Sequence, residues 1–231
     1  MFVLAASARR GGGSWHDPHV QRILIATDRG EARVGLAHAK SARGALVLGH
    51  GAGGAIDAPD LAAAAAAALE AGFDVALVEQ PYRVAGRRAP APASHLDAAW
   101  LTVISRLAGR ELAGRPLVFG GRSMGARVAC RTAGQGGAIA VLCLAFPLAP
   151  PPRAAARSAP ASRQSELDAV PVPTLVVQGD RDRFGMPAHG PDRSVVSVTG
   201  DHSLRTGLDA VSRAVGEWLA ALPVGPVTGR R

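Results

Sequence analysis

The stretch Pro116-Leu-Val-Phe-Gly-Gly-Arg-Ser-Met-Gly-Ala-Arg-Val-Ala129 decides the reading of this chain. Its opening is apolar and strand-forming and its end suits a helix, so Gly121-Arg122-Ser123-Met124-Gly125 must turn the chain sharply between them. A serine on such a turn is held in strained dihedrals, and residues two places either side must lack side chains or they would clash. Gly121 and Gly125 meet that need. The turn lifts Ser123 above the sheet at a helix amino terminus. There the Met124 N–H and the helix dipole favour a developing negative charge. The bland alternative is a glycine-rich turn that packs helix on strand; the strand and helix flanks argue against it.

A serine hydroxyl is a weak nucleophile and needs a base. His202, in Gly200-Asp-His-Ser203, follows an apolar strand and precedes the last helix, which puts it on a loop at a strand's carboxyl end. Asp182, in Val176-Val-Gln-Gly-Asp-Arg-Asp-Arg-Phe184, follows the previous strand and can orient the imidazole. Asp180 is the rival acid, but lies closer to the strand and suits a cap or an arginine partner. Asp201 reads as a turn former. A second oxyanion donor is expected from His50-Gly-Ala-Gly-Gly54: the Ala52 N–H, with Gly51 or Gly53 as near alternatives. His50 itself reads as a structural histidine, hydrogen-bonded beneath that loop. His16, His19, His38, His95 and His189 read as surface or capping groups. No spacing suits a metal, and no phosphate-binding glycine loop occurs.

Around this site, short apolar runs alternate with helix-like stretches, the pattern of a mostly parallel sheet covered by helices on both faces. Eight strands are predicted: Ile23–Ala26, Val34–Leu36, Ala45–Leu48, Asp74–Val78, Pro116–Phe119, Ile139–Ala145, Thr174–Val177 and Val195–Val198, the first two as an antiparallel hairpin. Helices are predicted over Pro59–Ala71, Ser94–Leu107, Met124–Ala133 and Gly207–Leu222. The alanine run in the first of these suits close packing, with Asp57 or Asp60 as its cap; Trp218 and Leu219 anchor the last. Gln80–Ala93 reads as an ordered loop, and Pro147–Pro173 as a Pro/Arg-rich segment with a short helix near Ser162–Ala169. One domain, residues 22–222, is expected between an extension at 1–21 and a tail at 223–231.

The 231 residues are 48% hydrophobic and 19% charged, which excludes a disordered chain or a coiled coil. No apolar run approaches a membrane span, and the amino terminus lacks a basic leader, so a soluble protein is expected. Cys130 and Cys143 lie in small or apolar contexts without a zinc pattern and suggest no disulfide, which fits the cytoplasm. The net charge of +8 raises nucleic-acid binding, but the arginines are scattered and no aromatics interleave the basic stretch Arg153–Arg163. Nucleic acid is not an expected partner.

These residues resemble the α/β-hydrolase superfamily, with the His-Gly loop, the elbow, Asp182 and His202 in that family's order. More narrowly, Pro81-Tyr82, Gly86-Arg87-Arg88, Gly120 to Gly125 and Gly179 to Gly185 are similar to the small, capless, dienelactone-hydrolase-like branch, which includes a domain in a subunit of a histone acetyltransferase complex. The resemblance implies an eight-stranded α/β-hydrolase fold with minimal or no cap. It also implies Ser123 as nucleophile, His202 as base and Asp182 as acid; acyl transfer by such a set needs no cofactor. Ala126 stands where a third glycine is common after the elbow, which predicts a slightly looser helix–strand approach. The expected activity is hydrolysis of a small carboxylic ester or thioester acyl substrate through an acyl-enzyme. Arg122, Arg87 and Arg88 are either cations for an anionic substrate or loop salt bridges. The alternatives are a catalytically silent binding module of the same fold, or a peptidase or amidase using the same triad.

Overall fold

The computed structural model describes residues 20–53, 56–150 and 161–224. The extension at 1–19 with His16 and His19, Gly54 of the His-Gly loop, most of the basic stretch Arg153–Arg163 and the tail from residue 225 lie outside them. In chain order the elements are β1 (Gln21–Thr27), β2 (Gly30–Ala37), β3 (Gly44–Gly49), α1 (Pro59–Glu70), β4 (Phe73–Glu79), α2 (Pro81–Val84), α3 (Ala93–Ala108), β5 (Leu117–Arg122), α4 (Met124–Gly136), β6 (Ala140–Leu144), α5 (Gln164–Asp168), β7 (Thr174–Gly179), β8 (Arg193–Val198) and α6 (Leu208–Ala221). The strands form one sheet in the order β1-β2-β4-β3-β5-β6-β7-β8. β1 pairs antiparallel with β2, and β2 with β4; every other pair is parallel.

Alternation along the central strands divides the core in two. Ala45 and Val47 of β3 with Leu117 and Phe119 of β5 face one layer, where Trp100 and Val103 of α3 and Val128 and Ala129 of α4 pack. Leu46, Leu48 and Val118 face the other, which holds Leu61 and Ala64 of α1 and Val211, Val215 and Leu219 of α6. Alanine explains how α1 and α6 share a face. A methyl added at Gly216 would sit 3.8 Å from the Ala67 Cβ, and Ser212 Oγ donates to Ala63 O at 3.3 Å. Trp218 is half-buried against this layer.

The structure changes several details. Neither Asp57 nor Asp60 caps α1: its N-cap is Ala58, with no side-chain hydrogen bond, and Asp60 is buried and turned toward Arg122. The loop expected over Gln80–Ala93 contains α2, a single turn started by Pro81. α4 runs three residues past its predicted end, because Gly134 does not stop it and left-handed Gly137 does. Gly136 inside that extension is required by contact, since a Cβ there would lie 2.6 Å from the Phe119 ring. Between β4 and α3, and among the described residues between β6 and β7, the only helices are α2 and α5, so no large lid is built from them. Cys130 and Cys143 are free, buried thiols 3.4 Å apart.

Candidate active site

β3, β5, β7 and β8 run parallel and finish at the same end of the sheet, and the loops that leave their carboxyl ends assemble the site. After β5, Ser123 has φ +53° and ψ −106°, a conformation that L-residues seldom adopt, and α4 starts at the next residue. The chain folds this way because the elbow is wedged against β3. A Cβ at Gly121 would lie 2.6 Å from Gly49 O, and one at Gly125 only 2.3 Å from the same atom. Ala126, in place of a third glycine, is fully buried in the core.

The structure brings Ser123, His202 and Asp182 together. His202 Nε2 lies 2.9 Å from Ser123 Oγ, and His202 Nδ1 lies 2.8 Å from Asp182 Oδ2. The Asp182 carboxylate is fixed by further donors: Phe184 N–H to Oδ1 at 2.9 Å and Gln178 Nε2 to Oδ2 at 2.9 Å. Asp180 instead accepts the Gly200 N–H at 2.9 Å, and Asp201 accepts the Ser203 N–H at 2.8 Å, so each ties down a loop. The His202 side chain is 20% exposed while that of Asp182 is fully buried, so a substrate can reach the imidazole but water cannot screen its partner.

The His-Gly loop lies against the serine: a methyl added at Gly51 would come within 3.7 Å of Ser123 Cβ. His50 is buried. Its Nε2 accepts the Gln80 N–H at 3.1 Å, which leaves the proton on Nδ1, donating to Gly51 O at 2.8 Å. Burial holds the imidazole below its ordinary pKa, so it stays neutral in that role. Because a trans peptide is planar, fixing Gly51 O on one side points the Ala52 N–H to the other. Tyr82 Oη donates to Ala52 O at 2.7 Å and pins the next peptide; burial pushes that phenol up to about 12, so it remains a donor. The Met124 N–H opens α4 and has no acceptor within the helix.

Five side chains support the site in roles that their local sequence does not signal. Gln178 donates to Phe146 O, Asp182 Oδ2 and Gly185 O, bracing the acid loop; a glutamine closing the run Thr174-Leu-Val-Val-Gln178 is its only mark in the sequence. Phe184 packs on His202, ring centroids 4.2 Å apart. Tyr82 stands out in the sequence only as part of a family pattern. Asp60 and Arg122 form a buried ion pair at 2.9 Å, and Arg122 also donates to His202 O at 2.9 Å. Of the two readings for Arg122, the salt bridge is therefore the one seen. Its guanidinium passes where a side chain at Gly51 would sit, 2.8 Å from that Cβ position. Burial pushes the Asp60 carboxyl up to about 6, and the facing guanidinium offsets only part of the shift.

A parallel sheet with an antiparallel edge, a positive-φ serine between strand and helix, and a histidine on a late loop define the α/β-hydrolase class, with no large lid among the described residues. The alpha/beta hydrolase domain family matches residues 42–207, and the chain belongs to that family. A search of curated proteins finds no match. Among solved structures, the chain is similar to an alpha-beta serine hydrolase homologue from Coxiella burnetii (16% identity, TM-score 0.68, 87% of this chain and 97% of that one). It is also similar to a lidless a/b serine hydrolase from Xanthomonas campestris (19%, 0.65, 89% and 98%) and to a dienelactone hydrolase from Anabaena variabilis (17%, 0.66, 87% and 97%). These comparisons do not bear on the histone acetyltransferase subunit.

Proposed function

We propose that the protein is a serine hydrolase that cleaves a small carboxylic ester or thioester through an acyl-enzyme. The observation that carries the reading is the continuous hydrogen-bonded path from Ser123 Oγ through His202 to Asp182, set on a strained elbow. His202 Nε2 takes the Ser123 proton as Oγ attacks the carbonyl carbon. The carbonyl electron pair moves onto oxygen, where the Ala52 and Met124 N–H groups stabilise it. Collapse expels the alcohol or thiol, which receives the proton from His202. Water then repeats the sequence on the acyl-enzyme and releases the acid, so no cofactor takes part. Strain at Ser123 and the double anchoring of the His-Gly loop favour a catalytic over a purely binding role, since neither is needed to keep the fold.

Among the described residues no helix is long and apolar enough to cross a membrane, and a cytoplasmic location accords with the free thiols. Among the described residues at least seven arginines are paired with carboxylates, which favours a small-molecule substrate over a polyanion as the partner. The test is rapid mixing with 4-nitrophenyl acetate, followed by acid quench and peptide mass analysis. The proposal expects a burst of nitrophenolate and one acetyl group on the Ser123 peptide. Turnover without any acylated serine would overturn it.

A further inference from the structure

A cavity of about 400 Å³ opens at the same end of the sheet as Ser123, on the side of α2, between the β1–β2 turn and the start of α3. Its walls are apolar where Pro81, Val84, Ala91 and Leu96 line it. Its mouth carries Arg29 and Arg87, both exposed, whose guanidinium groups have no partner among the described residues. Glu31 lies on the same wall and offsets one of the two charges, so the mouth stays net cationic; His95 adds a ring nitrogen. Gln80 supplies the second observation. It is 3% exposed, its Nε2 is committed to Leu96 O at 3.3 Å, and its Oε1 is buried with no donor, although Gln80 lines the cavity. An apolar body, a cationic mouth and one unfilled buried acceptor specify a ligand class.

We propose that this cavity binds a small organic carboxylate with an apolar body and a hydroxyl or amide donor at its far end. The carboxylate meets Arg29 and Arg87, the body lies against Pro81 and Leu96, and the donor fills Gln80 Oε1. No residue of the cavity belongs to the Ser123–His202–Asp182 set, so binding stands whether or not the hydrolase proposal does. Two of its walls nonetheless hold the His-Gly loop: Gln80 through His50, and Tyr82 through Ala52 O.

The experiment is calorimetric titration of the full chain at low ionic strength with three probes. 4-Hydroxyphenylacetate carries all the recognised features, phenylacetate lacks the donor, and 4-hydroxyphenylacetamide lacks the charge. The complete probe is expected to bind with a Kd of about 1 mM or tighter. Phenylacetate is expected to bind about 5-fold more weakly, and the amide about 10-fold or more. Arg29→Ala/Arg87→Ala, which breaks no side-chain hydrogen bond or ion pair among the described residues, is expected to lose the preference for acid over amide. Glu31→Gln is expected to tighten the acid a few-fold, and Ser123→Ala to bind it as the wild type does. No heat with 4-hydroxyphenylacetate at about 10 times that concentration, or equal affinity in the double-arginine variant, would overturn the proposal. The amide comparison decides the charge requirement even if that variant fails to fold.

Discussion

Gly125→Ala puts the packing of the elbow on β3 to a quantitative test. The added Cβ would lie 2.3 Å from Gly49 O, 2.5 Å from the Gly49 carbonyl carbon and 2.9 Å from His50 O. All three are backbone atoms where the central strand β3 enters the His-Gly loop, so no side chain can swing away. Restoring ordinary contact requires a displacement of about 1 Å, and overpacking of this kind costs about 3 kcal/mol. In a chain of this length that lowers the melting temperature by about 6–12 °C. The displaced segment carries His50, Gly51 and Ala52, and a misplacement of that size costs about 100-fold in rate. Differential scanning calorimetry and the rate of fluorophosphonate labelling measure the two effects separately. Gly53→Ala is the control: it lies in the same loop, and its Cβ would meet nothing within 4 Å, so stability should change by less than about 0.5 kcal/mol. An unchanged melting temperature and labelling rate in Gly125→Ala would refute the reasoning.

Other expectations rest on the hydrogen bonds and on burial. Asp182→Asn should lower kcat for 4-nitrophenyl acetate by about 10⁴-fold, because an amide at this position no longer holds the Nδ1–H tautomer. Asp180→Asn keeps its carbonyl oxygen for the Gly200 N–H and should lose less than about 10-fold; the reverse order would assign the acid to Asp180. Asp60 has a folded-state pKa of about 6 against 3.8 unfolded, so the folded state binds its proton more tightly. Its contribution is therefore present below pH about 4 and lost as pH rises through 6, a change of about 3 kcal/mol. Melting curves at intervals from about pH 4 to 7 should show wild type losing most of that, about 2 kcal/mol, relative to Asp60→Asn, and a flat difference would contradict the burial of the carboxylate. Gln178→Leu should leave the fold intact and lower kcat by about 10-fold with KM little changed, through a looser Asp182; a change confined to KM would place its effect elsewhere.

The fold was legible because its signals are local: alternating or continuous apolar runs make strands, and glycines mark the turns between them. All eight strands and the four long helices stand close to their predicted bounds. Boundaries failed where tertiary contact overrides local preference, as at Gly136, whose missing side chain makes room for Phe119. The constellation of Ser123, His202 and Asp182 was legible from its place after successive strands, and loop geometry separated Asp182 from Asp180. The supporting side chains were not. Asp60 looked like a helix cap because a carboxylate near a helix start normally is one, and only the fold brings Arg122 from the elbow to it. Phe184 and Tyr82 act across segments distant in the chain, and Gln178, four residues before Asp182, also reaches Phe146 O; nothing in their immediate neighbours announces it.

The central claim is that Ser123 is a nucleophile activated by His202. Intact-mass analysis after incubation with a fluorophosphonate tests it without knowledge of the substrate. A single phosphonyl adduct is expected on the wild-type chain, none on Ser123→Ala, and an unchanged melting profile for that variant. Folded wild-type protein that takes up no adduct, or a Ser123→Ala variant that labels as fast as wild type, would contradict it.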